Sequence, residues 1–135
     1  MDNQLKIFIV DDDFLYLKIL KKNLENLGFH DIISFTKGAE CIKSLKNKPD
    51  IIFLDYNLGD LTGFNVLKEI MTINPNTYTI IISGQEDLKI KINSFKFGAF
   101  AYIQKGIKAS DLIKIVTENI LEMGVNRKVS KSKII

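Results

Sequence analysis

The segment Ile51–Asp55 is the feature that most constrains the fold, because four consecutive apolar residues end in a carboxylate. A strand wetted on one face would alternate apolar and polar residues. An uninterrupted apolar strand is typical of a parallel sheet covered by helices on both faces. Ligands of such sheets bind beyond the carboxyl ends of the strands. The pattern therefore predicts an acid at a strand-to-loop junction, where Asp55 either opens a turn or belongs to a site.

Composition excludes several classes of protein. The chain has 135 residues, of which 46% are hydrophobic, and no apolar run approaches the roughly 20 residues of a membrane span. Its N-terminus lacks the profile of a secretory signal, so a cytoplasmic protein is expected. Four of the 19 basic residues lie in residues 124–135, which contain none of the 16 acids. The rest of the chain is close to neutral and offers no nucleic-acid footprint. The single cysteine, Cys41, is expected to be a buried small hydrophobe.

Strand and helix patterns alternate along the chain. Apolar strands are predicted at residues 5–10, 31–35, 51–55, 78–82 and 100–104, with helical spacing after each. Leu88, Ile92 and Phe95 mark the expected inward face of the fourth helix, and Leu112, Val116 and Ile120 that of the fifth. Crossovers of this length imply an α/β fold, a doubly wound parallel sheet of strand order 2-1-3-4-5 flanked by five helices.

Polar side chains follow four of the five predicted strands. Asp11 and Asp12 follow the first, Asp55 ends the third, Ser83 follows the fourth and Lys105 follows the fifth. In the order 2-1-3-4-5, strands 1 and 3 are neighbours at the switch point of the sheet. The acids are therefore expected in one crevice with Ser83 and Lys105 along its rim, which favours a site over a simple turn.

These motifs resemble the receiver domain of bacterial response regulators, the phospho-accepting half of two-component systems, whose fold is flavodoxin-like. The resemblance covers residues 5–123. It rests on Val-Asp-Asp-Asp at 10–13, Leu-Asp-Tyr-Asn-Leu at 54–58 with Gly63, Ile-Ser-Gly at 82–84, Phe-Gly-Ala at 97–99 and Tyr-Ile-Gln-Lys at 102–105. Residues 1–123 would form the receiver domain, and 124–135 a basic C-terminal tail or the start of a linker whose first part is expected to be ordered.

The resemblance implies a function for each strand tip. Asp55 would accept a phosphoryl group from a sensor histidine kinase or phosphotransfer protein, in a signalling switch rather than an enzyme. Mg²⁺ would be the cofactor, and its ligands would be Asp11, Asp12, Asp55 and the backbone carbonyl of Asn57. Ser83 and Lys105 would contact the phosphoryl oxygens, Ser83 and Tyr102 would form the switch, and Asn57 and Gln85 would tune dephosphorylation.

Two positions depart from the family pattern, because glycine replaces proline at both. Gly59 follows the phospho-acceptor motif, and Gly106 follows the rim lysine, where the family proline is typically cis. A cis bond before a residue other than proline costs about 2.5–4 kcal/mol. This cost favours a trans Lys105–Gly106 bond, although the sequence alone leaves cis and trans both open.

The last helix carries more apolar residues than one core face needs, since Ile113, Ile115 and Leu121 lie beyond its predicted stripe. Surplus apolar surface often marks an interaction face. The resemblance implies docking of a downstream partner, or of a second copy, through helix 4, strand 5 and helix 5. No nucleic acid or membrane contact is expected.

Three alternatives remain open. The chain would also suit the N-terminal receiver of a longer regulator with a DNA-binding or enzymatic output domain. A phosphatase or phosphotransferase that forms an aspartyl-phosphate would want an acid two residues after its nucleophile, where this chain has Asn57. A flavin-binding module would want a Ser/Thr-rich phosphate loop after the first strand, where this chain has acids.

Overall fold

The computed structural model describes residues 4–84 and 86–124. Strands and helices alternate along the chain: β1 Ile7–Val10, α1 Phe14–Asn26, β2 Ile32–Phe35, α2 Gly38–Lys43, β3 Ile51–Asp55, α3 Gly63–Ile73, β4 Tyr78–Ser83, α4 Leu88–Lys96, β5 Ala101–Gln104 and α5 Ala109–Met123. A short 3-10 turn, Leu45–Asn47, follows α2. None of the described helices is long and apolar enough to cross a membrane.

The five strands form one parallel sheet in the order β2-β1-β3-β4-β5. The predicted topology is therefore confirmed. β3 lies at the centre, and all five of its residues are buried. Its apolar run needs no alternation, because helices cover both faces of the sheet.

Two apolar layers separate the sheet from its helices. One layer packs β-strand residues against α1 and α5, with Leu17, Leu20, Leu24, Ile113, Val116 and Ile120 as its helical members. The other packs the opposite face against α2, α3 and α4, with Cys41, Val66, Leu67, Ile70 and Ile90 as helical members. Side chains of successive strand residues point to opposite layers, so each strand contributes to both.

The predicted inward face of α4 is wrong for Leu88 and Ile92 but correct for Phe95, which is partly buried against the layer of α2, α3 and α4. Leu88 is 71% exposed and Ile92 is 55% exposed, whereas Ile90 and Ser94 are buried. Ser94 tolerates burial because its hydroxyl donates to the Ile90 carbonyl one turn earlier, at 2.7 Å. Apolar residues alternate with polar ones at the start of this helix, so periodicity alone does not choose between its two faces.

The apolar surplus predicted for α5 is correct for two of its three residues. Ile113 is 1% exposed and belongs to the core, while Leu112 of the predicted stripe is only partly buried. Ile115 and Leu121 are exposed as predicted. The predicted interaction face therefore loses Ile113 and gains the exposed apolar residues of α4, Leu88 and Ile92.

The last helix ends one residue beyond Glu122, at Met123. Gly124 follows with φ 81°, which suits a glycine at the end of a helix. The carbonyl of Gly124 accepts a hydrogen bond from the Tyr78 hydroxyl at 2.8 Å. The rest of the basic tail, 125–135, lies outside the described residues, and so does its predicted ordering.

Candidate functional site

Three carboxylates meet at the carboxyl edge of the sheet. Val10 pairs with Leu54 in the parallel register of β1 and β3, so the residues that follow them, Asp11 and Asp55, lie at neighbouring strand tips. Asp11 and Asp55 are buried, and Asp12 is exposed. Carboxylate oxygens of all three residues lie within 4.8 Å of one another. The predicted convergence of these acids is confirmed.

Lys105 places an ammonium group among these acids. Its Nζ lies 2.8 Å from Asp11 Oδ2 and 3.4 Å from Asp55 Oδ1. The backbone N–H of Lys105 donates to the Ser83 carbonyl at 2.8 Å, which extends the pairing of β4 and β5 to the site. The Lys105–Gly106 bond, whose isomer the sequence left open, is trans, and no described peptide bond is cis.

The electrostatics of Asp55 follow from its burial among like charges. Burial raises the pKa of Asp55 most, Asp11 and then Asp12 add to the increase, Lys105 opposes it, and the net pKa is about 6. For Lys105, burial lowers the pKa, but the contacts with Asp11 and Asp55 outweigh it and raise the pKa above the usual range. The site therefore carries an excess of negative charge that one ammonium does not neutralise.

The first turn of α1 is hydrogen-bonded to the tip of β1 through Asp11 and Asp13. The Asp13 amide donates to Asp11 Oδ1 at 2.9 Å. Asp13 then caps the helix, because its carboxylate accepts from the amides of Leu15 and Tyr16 at 3.0 and 3.3 Å. This arrangement brings the Tyr16 ring over Lys105, with 4.3 Å between Nζ and the ring centroid. Asp13 is thus the N-cap residue of α1.

The loop after β3 folds back on itself beside Asp55. Asn57 is exposed and forms an antiparallel bridge with Thr62, which caps α3. Gly63 packs so closely that a Cβ there would lie 2.8 Å from the Asp55 carbonyl oxygen. Asp60 reaches across to α2 and accepts hydrogen bonds from the amides of Gly38 and Ala39, both at 3.1 Å. The loop is therefore held at both of its ends.

The remaining predicted residues lie on β4 and β5. Ser83 is 1% exposed at the end of β4, one position beyond the residue that pairs with Asp55. Tyr102 is 6% exposed in β5 and pairs with Ile81. Tyr102 also lines a groove of about 280 Å³ with Glu86, Asp87, Leu88, Lys91, Gln104 and Leu112. Gln85 lies outside the described residues.

Sequence reasoning missed two residues of this edge. Tyr16 falls outside the apolar stripe of α1, and Asp60 reads as an ordinary loop acid. Tyr16 meets Lys105, and Asp60 meets the start of α2, only after the chain has folded. The one available signal is the position of Tyr16, which lies in the first helical turn after the acidic strand tip.

Comparisons with known proteins agree with this geometry. The chain is 29% identical to the chemotaxis protein CheY of Thermotoga maritima, over 84% of this chain and 95% of that protein. It is 32% identical to the transcriptional regulatory protein CssR of Bacillus subtilis, over 87% of this chain but only 51% of that protein.

A solved structure of the CheX-CheY-BeF3-Mg²⁺ complex from Borrelia burgdorferi superposes with a TM-score of 0.78. The sequence identity is 26%, over 84% of this chain and 87% of that one. A family profile described as the response regulator receiver domain matches residues 7–117. The chain therefore belongs to the response regulator receiver domain family.

Proposed function

We propose that this receiver domain is a phosphorylation-activated switch in which Asp55 accepts a phosphoryl group from a sensor histidine kinase or phosphotransfer protein, in the cytoplasm. The position of Asp55 carries the proposal. Its carboxylate is buried at the tip of the central strand, within 4.8 Å of oxygens from Asp11 and Asp12 and 3.4 Å from the Lys105 ammonium. Phosphoryl transfer depends mainly on positioning and charge neutralisation, and this edge of the sheet is suited to both.

In the proposed reaction an Asp55 oxygen forms a bond to phosphorus as the phosphorus–nitrogen bond of the donor phosphohistidine breaks. The electron pair of that bond returns to the imidazole nitrogen. A carboxylate needs no deprotonation before it attacks, so the site requires no general base. Lys105 would pair with the charge on the phosphoryl oxygens, and the Ser83 hydroxyl would donate to one of them.

The acidic cluster fits the Mg²⁺ ion that is characteristic of the family. Mg²⁺ prefers oxygen ligands and is commonly held by one or two carboxylates together with waters. Asp11, Asp12, Asp55 and the backbone carbonyl of Asn57 would hold the ion. Burial and then Asp11 raise the pKa of Asp55, and a divalent cation beside this carboxylate would favour its charged form. When bound, the ion supplies neutralisation of phosphoryl charge.

Signal output would run from Ser83 to Tyr102. In the proposed switch the Ser83 hydroxyl moves toward the phosphoryl group, and the Tyr102 ring follows it inward. Tyr102 already lines the groove between α4 and α5, which supports its placement in this path. Asn57, two residues after Asp55 in the sequence, and Gln85, two residues after Ser83, would tune dephosphorylation.

The output face would consist of α4, β5 and α5, and it would bind a downstream protein or a second copy of the chain. Four exposed apolar residues on its two helices support this surface: Leu88, Ile92, Ile115 and Leu121. Sedimentation velocity with and without acetyl phosphate and Mg²⁺ tests self-association. A phosphorylation-dependent dimer should be lost in Leu88→Gln and kept in Ile73→Gln, which changes an exposed apolar residue of α3 outside the face.

A second candidate is that these residues are the receiver part of a longer regulator with an output domain. The observation that favours it is the coverage of CssR, since the chain spans about half the length of that relative. The mass of the natural gene product decides between the two candidates. A mass near that of 135 residues supports a stand-alone receiver, and a clearly larger mass supports the regulator.

Incubation with acetyl phosphate and Mg²⁺ followed by intact-mass measurement tests the role of Asp55. The native chain should gain one phosphoryl group, and Asp55→Asn should gain none while keeping its fold. Asp12→Ala should lose the metal-dependent gain. Asp31→Asn, an exposed acid before β2 at the opposite edge of the sheet, should label like the native chain. An unchanged native mass, or an equal gain in Asp55→Asn, contradicts the proposal.

A further inference from the structure

We infer that Tyr16 is a positioning residue for phosphoryl transfer, because its ring holds the Lys105 ammonium in place at the acidic cleft. The inference rests on the proposed role of Asp55. The Lys105 Nζ lies 4.3 Å from the Tyr16 ring centroid, 2.8 Å from Asp11 Oδ2 and 3.4 Å from Asp55 Oδ1. The ammonium thus has two carboxylates and one aromatic face as neighbours.

The chain around Lys105 gives its side chain little other support. Gly106 follows with φ 151°, and a Cβ placed on it would meet no atom within 4 Å. Ile107, the next residue, is 100% exposed. The hydrogen bond from the Lys105 amide to Ser83 fixes the backbone. It leaves a flexible four-carbon side chain whose end is placed only by what it contacts.

Tyr16 itself is firmly placed. The Asp13 amide donates to Asp11, and the Asp13 carboxylate accepts from the Tyr16 amide at 3.3 Å. The Tyr16 ring is therefore attached to a helix turn whose backbone is hydrogen-bonded to the tip of β1, where Asp11 lies. These hydrogen bonds fix the Tyr16 backbone relative to Asp11, and the Tyr16 side chain packs partly buried against the layer of α1 and α5.

An aromatic ring provides something that a third acid would not. The face of the ring attracts the ammonium, and it adds no charge for the lysine to neutralise. It also excludes water from one side of Lys105, which strengthens the attraction between the remaining charges. Lys105 then stays close to Asp55 and retains its charge for the incoming phosphoryl oxygens.

The contact has a direct spectroscopic readout. In the native protein, ring current should shift the NMR signals of the Lys105 ε-methylene protons upfield. Tyr16→Phe keeps a ring and should keep the shift, whereas Tyr16→Leu should lose it. Phe14→Leu is the matched control, because Phe14 lies under Lys18 of the same helix in a similar contact, at 5.0 Å, and both residues are exposed.

The rate of labelling by acetyl phosphate and Mg²⁺ tests the consequence for the reaction. Tyr16→Leu should label about three- to tenfold more slowly than the native chain, and Tyr16→Phe should stay within about twofold. Phe14→Leu should label at the native rate. In a Lys105→Ala background, Tyr16→Leu should cause no further loss, because a residue that acts through Lys105 has nothing left to position.

Three results would overturn the inference: native labelling in Tyr16→Leu, an equal loss in Tyr16→Phe, or a further loss in the Lys105→Ala background. Tyr16→Met replaces Tyr16→Leu if the latter fails to fold. Failure of the proposed function gives a different result from failure of this inference. In that case the native chain would gain no phosphoryl group, or Asp55→Asn would gain one. The ring-current shift would still report whether Tyr16 holds Lys105.

Discussion

The Lys105 ammonium and the Asp11 carboxylate form a close ion pair, with 2.8 Å between Nζ and Oδ2. Because the proposed cation would use the same carboxylate, Lys105 and Mg²⁺ compete for Asp11. Lys105→Ala should therefore bind Mg²⁺ more tightly, by about threefold to tenfold, since a nearby unit charge is removed from a partly buried site. Titration calorimetry with Mg²⁺ measures the change.

Lys108→Ala is the control for this prediction. Lys108 is an exposed lysine three positions further along, just before α5. The Lys108→Ala substitution should change the Mg²⁺ affinity little, because solvent and salt screen the charge of Lys108. Equal affinities in the native chain and Lys105→Ala, or an equal gain in Lys108→Ala, contradict competition for Asp11.

The pKa of Asp55 predicts how stability depends on pH without metal. Burial, then Asp11, raises this pKa from 3.8 to about 6, so the folded chain holds the proton more tightly than the unfolded chain does. The stabilisation is complete below about pH 3.8 and is lost as the pH rises through about 6.

Asp55→Asn removes this pH-dependent loss. In EDTA at pH 8, its free energy of unfolding should exceed that of the native chain by about 1–3 kcal/mol, since one pKa unit corresponds to about 1.4 kcal/mol. The difference should vanish toward pH 4. Urea unfolding at both pH values measures it, and a difference of equal size at both contradicts the assignment to Asp55.

The sequence predicted the sheet and the strand-tip residues well, because these depend on local patterns. Apolar runs identified the strands, and parallel topology brought their polar ends to one edge. Asp11, Asp55 and Lys105 therefore lie in contact as expected. The trans bond before Gly106 agrees with the cost of a cis bond without proline, although the sequence left cis and trans both open.

The misses are contacts between distant parts of the chain. Leu88 and Ile92 were assigned to the core, but α4 has apolar residues on two faces, and packing against the sheet selects Ile90 instead. Tyr16 meets Lys105 only because α1 begins and β5 ends at the same edge of the sheet. The apolar periodicity of a single helix or strand cannot predict such a contact.

Asp60 should stabilise the start of α2 as a cap supplied from another loop. Its carboxylate accepts hydrogen bonds from the amides of Gly38 and Ala39. The N-cap residue of α2, Lys37, makes no side-chain hydrogen bond of this kind. Asp60→Ala should lower the free energy of unfolding by about 1 kcal/mol, a typical loss for a helix cap. Asp31→Ala, at an exposed acid whose side chain caps no helix, is the control. Equal losses in the two variants in urea unfolding contradict the capping role.

Cys41 should report unfolding rather than react in the native state. Its side chain is fully buried between α2 and the sheet, and burial raises the pKa of its thiol to about 12. Thiolate is the reactive form, so a thiol reagent at pH 8 should label the native chain very slowly. Labelling should become rapid in urea above the unfolding midpoint. Rapid labelling of the folded chain would contradict the buried position.

Gly63 should be required by the close approach of α3 to the phospho-acceptor strand. A Cβ at this position would lie 2.8 Å from the Asp55 carbonyl oxygen and 2.9 Å from the Tyr56 Cα, both backbone atoms. Gly63→Ala should therefore lower the free energy of unfolding by about 1–3 kcal/mol, as overpacking does in a tight core. The amide of Gly63 also donates to the Tyr56 carbonyl, so the strain falls on the loop that follows Asp55.

Gly84→Ala is the matched control, because a Cβ on Gly84 would meet no atom within 4 Å. Its free energy of unfolding should stay within about 0.5 kcal/mol of the native value, as for a surface substitution. Displacement of the Asp55 backbone should also slow labelling by acetyl phosphate in Gly63→Ala, because small shifts of a nucleophile are costly in rate. Urea unfolding of both variants, together with the rate at which acetyl phosphate labels Gly63→Ala, tests the steric requirement for Gly63. Native stability in Gly63→Ala, or the same loss in Gly84→Ala, contradicts the steric argument.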